Sequence, residues 1–278
     1  MAGRGRALLR WAAISVAISV GLAGVAAAAV YAIGEMRLDK RFDAVPVTPL
    51  RVSKGNAQEG ARLVRVLGCA GCHGISLAGE DFYGTAAPNL TRMARSYDRD
   101  HFARLLRTGV RADGTSVVWA MPSDFFAKLA DDQIAHIYAY LRSIPQAKDA
   151  AGPRRFGLAE RFAFLTGSLF LSAEVSRPEQ PAAIAPKASE SGFGAYFTSV
   201  ACAECHGFDL AGGDGTPPLA LAIQAYTPET FAAFLKTGKT AGGMDNLMMS
   251  GVARGRLSIL TNGEVSALYT YLSGLPVE

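Results

Sequence analysis

The sequence has few of the residues that most often carry chemistry. Its 278 residues include four cysteines, four histidines and two tryptophans. Neither half contains a Val/Ile-rich run that alternates with polar residues, so little β-sheet is expected. The net charge of +4 is small, and the sequence has no basic footprint typical of a nucleic-acid binder. The sequence therefore predicts a mainly α-helical protein that does not bind nucleic acid.

Charged residues are missing from a long segment near the N-terminus. Trp11–Ile33 is a run of 23 uncharged residues between Arg10 and Glu35. A helix of this length spans roughly 35 Å at about 1.5 Å per residue, enough to cross a membrane. We therefore predict a transmembrane anchor within residues 1–35, with the N-terminus in the cytoplasm because arginines precede the span. The small residues at Ala26–Ala29 leave a cleaved signal peptide as the alternative.

The rest of the chain is an imperfect repeat. The matching segments are Gly60–Gly74 with Gly194–Gly207, Leu77–Gly79 with Leu210–Gly212, and Phe102–Gly109 with Phe231–Gly238. Each half closes on a helical pattern, for which Asp131 and Thr261 are the expected N-terminal caps. Prolines 145 and 276 are expected to end these helices. We predict two tandem domains, at residues 53–148 and 187–276.

The predicted linker, residues 149–186, is irregular and contains one apolar helical segment. Four prolines mark its length, at positions 153, 178, 181 and 186, and Pro145 precedes it. Leu158, Phe162, Leu165 and Leu169 fall on one face of that helix, with Arg161 beside them. This face is either a strap packed against both domains or an interfacial helix that docks on a membrane or a partner.

All four cysteines lie in two Cys-x-x-Cys-His motifs, Cys69–His73 and Cys202–His206. This spacing lets one turn of chain present two thiols to one edge of a porphyrin and an imidazole to its iron. A disulfide or a zinc site is the alternative, but the histidine that follows directly in both copies favours haem. The motifs predict two covalently bound haem c groups, held by Cys69, Cys72, Cys202 and Cys205, with His73 and His206 as iron ligands.

Both halves resemble class I cytochrome c domains, and the whole is similar to membrane-anchored diheme cytochromes c of bacterial respiratory chains. The resemblance implies that the proline of a Pro-Asn-Leu motif turns its carbonyl towards the proximal imidazole. Pro88 would then serve His73, and Pro217 would serve His206. The second copy departs from the pattern, since Pro218 stands where the first has Asn89.

The sixth ligand of each iron is expected to be a methionine. Met121 stands before the closing helix of the first half, where the family places this ligand, whereas Met93 is better suited to a core role. In the second half Met244, Met248 and Met249 are all candidates. Gly109 lies 12 residues before Met121 and Gly238 lies 11 before Met249, which favours Met249.

The histidine count limits other ligand sets. His206 is the last histidine in the chain, so a second imidazole for its iron would have to come from the other domain. We expect His101 and His136 to lie on helix faces, exposed or hydrogen-bonded. Histidine–methionine ligation raises the reduction potential relative to two histidines, which suits electron transfer.

These features together predict a membrane-anchored electron relay and not an enzyme. The resemblance implies a dehydrogenase or the bc1 complex as electron donor, and a terminal oxidase or a soluble cytochrome as acceptor. The haem domains would then stand in the periplasm, on the bacterial cytoplasmic membrane. The alternative is a diheme enzyme that acts on a small substrate at an open iron, but no cysteine is spare to serve as the extra ligand of such enzymes.

Overall fold

The computed structural model describes residues 2–82, 84–176, 181–213 and 215–277. Pro178 of the predicted linker lies outside these residues. The longer helices are α1 (Ala2–Leu38), α2 (Ala57–Val66), α4 (Leu90–Ser96), α5 (Arg99–Thr108), α7 (Asp131–Ser143), α8 (Leu158–Thr166), α10 (Phe193–Ala201), α13 (Pro228–Thr237), α14 (Leu247–Gly255) and α15 (Asn262–Ser273). The shorter elements are α3 (Ala70–His73), α6 (Ser123–Phe126), α9 (Ser172–Val175), α11 (Ala203–His206), α12 (Leu219–Ala222) and the 3₁₀ turns η1 (Ile223–Ala225) and η2 (Leu257–Ile259).

The mainly α-helical prediction is confirmed. The described strands form one antiparallel hairpin, in which β1 (Glu80–Phe82) pairs with β2 (Thr85–Ala87). Helix α1 is long and apolar enough over Ala7–Leu38 to cross a membrane, although a signal sequence has the same properties. Most of its large apolar side chains are exposed.

Each half closes its core by crossing its first helix over its last. In the first half α2 packs on α7, and in the second half α10 packs on α15. Gly60 permits the first contact because a Cβ there would collide with the backbone carbonyl of His136. Gly194 occupies the matching position and would collide with the side chain of Tyr271. The repeated glycine therefore sets how closely both helix pairs approach.

The two predicted caps of the closing helices have different outcomes. Thr261 and Glu264 form the predicted capping box at the start of α15. Asp131 does not cap α7, because the helix begins at Asp131 and Ala130 is the capping residue. The buried Asp131 carboxylate instead accepts hydrogen bonds from Arg51 and Arg107, each at 2.7 Å. The ion pairs that tie Asp131 to two distant segments displaced the local capping contact.

The two domains meet across an approximate twofold axis. Arg62 of α2 pairs with Glu264 of α15 at 3.1 Å. At the positions that match these in the repeat, Tyr196 of α10 donates to the side-chain amide oxygen of Gln133 in α7. Reciprocal contacts of this kind are what an isologous interface requires.

The apolar contacts at this interface follow the same symmetry. Val66 at the end of α2 packs in the core of the second domain. Val200, its counterpart in α10, packs in the core of the first domain. Each domain therefore supplies part of the other's core, which fixes how they are docked.

The sequence favours a linker helix that packs its leucine face against both domains. In the structure this helix turns a different set of side chains inward. Helix α8 packs against α1 and the first domain, with Arg161 and Phe164 buried. Leu158 and Phe162, on the predicted packing face, are exposed. The inward face of α8 is built around Phe164 and the Arg161–Glu35 ion pair, at 2.5 Å, with Leu169 of the predicted face packed beside them.

Candidate haem sites

The first motif lies on the short helix α3, directly after the turn that ends α2. His73 is buried, and its Nδ1 atom lies 2.8 Å from the carbonyl oxygen of Pro88. Because a carbonyl can only accept, Nδ1 must carry the proton, which leaves the lone pair of Nε2 free to bind a metal. Burial lowers the pKa of His73, although the Pro88 hydrogen bond opposes this, so the ring is neutral near pH 7.

The second motif repeats this arrangement on α11. Nδ1 of His206 lies 3.2 Å from the carbonyl oxygen of Pro217. Burial also lowers the pKa of His206, against the opposing effect of the Pro217 hydrogen bond. Both prolines implied by the family resemblance therefore hold a histidine in the tautomer that suits a proximal ligand.

The four cysteines are free thiols in the structure, with no disulfide between them. Burial raises the pKa of Cys69 and of Cys202 to about 12. Within the described ranges, no three His, Cys, Asp or Glu side chains come together as a metal site, so the zinc alternative lacks a ligand set there. The thiols are therefore available for another partner.

An apolar cleft of about 1170 Å³, which includes solvent space at its mouth, opens beside the first motif. Cys69, Cys72 and His73 form part of its wall, and Met121 and Met93 also line it. The remaining lining includes Phe82, Leu90, Phe102, Leu105, Leu106, Val118, Phe126, Leu129, Ile137 and Leu141. A thioether, an imidazole and two thiols in one apolar cleft are the donor set and surroundings that a covalently bound haem requires.

The loop that carries Met121 is held from behind by a buried serine. Ser172 Oγ lies 3.0 Å from the carbonyl oxygen of Met121 and 2.9 Å from that of Val118. Ser172 begins α9, which follows the linker helix. The linker therefore fixes the backbone of the candidate ligand loop.

The three methionines of the second half differ in burial. Met244 is 70 % exposed and Met248 is 75 % exposed. Met249 is half-buried and packs against the core of the second domain, one turn before the buried Ala253. Of the three, Met249 is thus the side chain that points towards the interior.

A comparison with known protein families identifies what these motifs belong to. Residues 57–145 and 190–276 each match the family described as cytochrome c, and together the two stretches cover more than half of the chain. The chain belongs to the cytochrome c family. Cytochrome c domains bind haem c covalently, which agrees with the predicted cofactor. The fold is accordingly two tandem cytochrome c domains behind an N-terminal apolar helix.

Two curated relatives of this cytochrome come from species of Gluconobacter. The fructose dehydrogenase cytochrome subunit of Gluconobacter japonicus is 27 % identical over 268 residues, covering 83 % of this chain and 55 % of that protein. The cytochrome c subunit of the quinone-dependent alcohol dehydrogenase of Gluconobacter oxydans (strain 621H) is 30 % identical over 97 residues, 30 % of this chain and 20 % of that protein.

The chain therefore spans about half the length of the first relative and a fifth of the second. Both relatives are named as cytochrome subunits of a dehydrogenase. These names agree with the expected electron-transfer role.

The first repeat has Asn89 where the second has Pro218, and the contacts of these two residues explain the difference. Asn89 caps helix α4 by accepting a hydrogen bond from the backbone of Arg92, and its amide donates to the Ala147 carbonyl and to the Asp149 carboxylate at the start of the linker. Pro218 precedes the short helix α12 and makes no side-chain cap. The asparagine therefore serves to cap a longer helix and does not contact the histidine. Because of this, the second repeat keeps the His206–Pro217 contact without an asparagine.

The remaining histidines make surface hydrogen bonds. His101 Nδ1 lies 2.8 Å from a carboxylate oxygen of Asp98. His136 Nδ1 accepts from the backbone N–H of Asn56 at 3.0 Å. Both contacts agree with the expected hydrogen-bonded roles on helix faces.

A charged pair from the second domain, which no sequence pattern indicated, lies in the wall of the first cleft. Arg256 and Glu204 both line this cleft, with their nearest charged atoms 3.8 Å apart. The Arg256 guanidinium lies against Gly68, directly before Cys69. Glu204 is itself one of the two variable residues of the second haem motif. The two motifs therefore face each other across the domain interface.

The matching position of the repeat places an aromatic ring against the second motif. Phe125 occupies the position that corresponds to Arg256, and it stacks on Phe208 with ring centres 4.5 Å apart. Phe208 follows the second motif by two residues, and the Lys128 ammonium lies 4.8 Å from its ring centre. Aligning the closing helices of the repeats would have paired positions 125 and 256, but not shown what either contacts.

Proposed function

We propose that this cytochrome is a membrane-anchored diheme electron relay, which takes electrons from a dehydrogenase and passes them to a further acceptor. The observation that carries the proposal is the pair of motifs that face each other across the docked domains, each with its histidine held by a proline carbonyl. A covalently bound haem supplies a one-electron couple, and the chain's own residues determine where that couple sits and how it is tuned.

In this proposal four cysteines attach the haems and four side chains bind the two irons. Cys69 and Cys72 form the thioethers of the first site, and Cys202 and Cys205 those of the second. His73 with Met121, and His206 with Met249, are the paired axial ligands. The cleft shared by His73 and Met121 supports the first pair, and the inward placement of Met249 supports the second.

Fixed docking of the domains supports transfer of electrons between the two sites. Arg62–Glu264 and Tyr196–Gln133 hold the domains on opposite sides of the approximate twofold axis. The Arg256–Glu204 pair then lies between the motifs. A rigid interface keeps the distance between two redox centres constant, and this is what a relay requires.

The partners in the proposal are redox proteins. A dehydrogenase is the favoured donor, as in the names of both relatives, with the bc1 complex as the other donor considered. A terminal oxidase or a soluble cytochrome would accept the electrons. With α1 as anchor and the N-terminus in the cytoplasm, the haem domains would stand on the periplasmic side of the cytoplasmic membrane.

Haem stoichiometry tests the proposal directly. The full chain, made in cells that attach haem c, should keep its haem on a denaturing gel and give two haems per polypeptide in a pyridine haemochrome assay. Replacing Cys69 and Cys72 together with Ala should halve this ratio. The matched control is His101→Ala, which removes an exposed histidine and should leave the ratio at two. An unchanged ratio in the cysteine variant would refute the two-site assignment.

Carbon monoxide distinguishes the relay from an enzyme with an open iron. In the proposal both irons have two axial ligands, so the reduced native protein should bind carbon monoxide slowly or not at all. Rapid binding at one haem would favour substrate chemistry there over electron relay.

A further inference from the structure

The linker helix α8 exposes an apolar stripe beside the apolar helix α1. Leu158 and Phe162 are one helical turn apart and therefore lie on the same face, and Phe162 is 57 % exposed. We call the surface formed by Leu158 and Phe162 the foot surface. Its exposed side chains contrast with Arg161 and Phe164, which are buried on the opposite side of the same helix.

The contacts between α8 and α1 fix the position of the foot surface along the anchor. Arg161 approaches α1 so closely at Gly34 that a Cβ there would lie 2.7 Å from the Cβ of Arg161. The Arg161 guanidinium lies 4.1 Å from the ring centre of Tyr31 and pairs with Glu35. Helix α8 therefore contacts α1 at Tyr31, Gly34 and Glu35, which is the C-terminal end of the uncharged run.

With α1 as a membrane anchor, this seating would place α8 at the boundary of the bilayer. About 20 helical residues cross the hydrocarbon core, so a span that ends at Ile33 leaves Gly34 and Glu35 at its edge. An amphipathic helix at that level buries its apolar face about 5–10 Å into the region between head groups and acyl chains. The foot surface lies on a helix that packs on the end of α1, whose side chains at residues 7–26 are exposed.

We propose that the foot surface is a second membrane contact, in which Leu158 and Phe162 insert among lipid acyl chains and fix the height and tilt of the first haem domain over the bilayer. This inference rests on the proposed role of α1 as an anchor. The occupant of the surface is lipid, because the exposed stripe lies on a helix that packs on the end of the apolar run of α1, where Ile33 is also exposed.

The charges around the foot surface suit this position. Glu35 is neutralised by Arg161 and by Arg154, which lies 3.3 Å away. A carboxylate left unpaired at the hydrocarbon edge would be costly to desolvate. Arg155 is exposed next to the helix and is free to reach lipid phosphate groups.

Photolabelling from the lipid side tests the proposal. The haem-loaded full chain is placed in vesicles of phosphatidylcholine and phosphatidylglycerol that contain a phosphatidylcholine with a diazirine in its acyl chain. After irradiation, adducts are mapped by peptide mass spectrometry. We expect adducts both in α1 and in α8. Adducts in α1 alone would overturn the proposal while the anchor stands, and adducts in neither would show that the anchor itself is wrong.

A matched pair of variants makes the result specific. Phe162→Ser should reduce the adducts in α8 at least fivefold and leave those in α1 unchanged. Leu221→Ser, at a site in the second domain that is 58 % exposed, should change neither. If Leu221 and its neighbours were labelled as strongly as α8, the labelling would reflect general exposure and the proposal would fail. Retention of the haem spectrum in both variants checks that each has folded.

Discussion

A methyl group added at Gly68 should separate the structural role of this residue from the redox role of Arg256. Gly68 has a φ of +73° and lies directly before the first haem cysteine. A Cβ at this position would overlap the Arg256 guanidinium. Because that group is the far end of a flexible side chain, it can swing out of the first cleft without moving the backbone. The variant Gly68→Ala thus displaces a charge from the cleft without removing it from the protein.

The stability cost of this change should be small and should match a control. A non-glycine residue in the left-handed region costs about 1–2 kcal/mol, and the displaced side chain adds little. Gly167 has a φ of +81° and nothing within 4 Å of an added Cβ. Gly167→Ala should therefore lower the free energy of unfolding by about the same 1–2 kcal/mol, with no effect on either haem.

The redox effect should distinguish the two variants. At a separation on the order of 10 Å, a unit charge would contribute about 1.7 kcal/mol at a redox centre if the effective dielectric constant is about 20. For one electron this is about 70 mV. The Arg256 side chain is 31 % exposed, so solvent screening should reduce the effect to about 20–50 mV. The first haem should shift to lower potential, because loss of a nearby cation stabilises the ferric state.

Spectroelectrochemical titration of the full chain gives both potentials in one experiment. Gly68→Ala and Arg256→Gln should lower the same potential, and the double variant should shift no further than Arg256→Gln alone. Arg254→Gln is the charge control, since this residue pairs with Asp245 at 2.8 Å on the surface. Additive shifts, or equal shifts in Gly68→Ala and Gly167→Ala, would refute the reasoning.

Two further predictions concern the second iron ligand and the first domain's buried ion pair. Met249→Ala should make the second haem reactive to carbon monoxide in difference spectra, whereas Met248→Ala should not, and the reverse pattern would reassign the ligand. Asp131→Asn should lower the free energy of unfolding by about 3 kcal/mol in urea titrations, because it leaves the buried Arg107 without its counter-charge; a loss below about 1 kcal/mol would contradict this. Burial raises the pKa of Asp131, but hydrogen bonds from Arg51 and Arg107 outweigh it, and the net pKa lies below the ordinary value of 3.8. The stabilisation should therefore be complete above about pH 4 and be lost as the pH falls through the lower, folded-state pKa.

The sequence predicted what depends on short segments of chain. The Cys-x-x-Cys-His spacing, the Thr261 capping box and the periodicity of the closing helices each involve contacts within a few residues. Such contacts are set by backbone geometry that is nearly the same in every protein. The family, the cofactor class and the mainly helical fold could be predicted for this reason. The choice of Met121 and Met249 as ligands stays a prediction.

At two places, contacts between residues far apart in the chain compete with a local sequence pattern. Asp131 had the right position to cap α7, but Arg51 and Arg107 bind its carboxylate. Leu158 and Phe162 of the linker helix had the right spacing to pack, but they are exposed, whereas Arg161, which pairs with Glu35, is buried. In both cases a charged contact across more than 20 residues of chain outweighed a pattern that was correct by itself.

By itself, the sequence determined which residues can attach haem and that two equivalent domains follow an apolar helix. Only the tertiary structure decided that the two motifs face each other, that Arg256 of one domain completes the cleft of the other, and that Phe162 is exposed beside the anchor. The repeat makes both domains fold alike, but their docking depends on pairs such as Arg62–Glu264, whose members are 202 residues apart in the chain. No local spacing records such a pair, because its energy arises only when two folded surfaces meet.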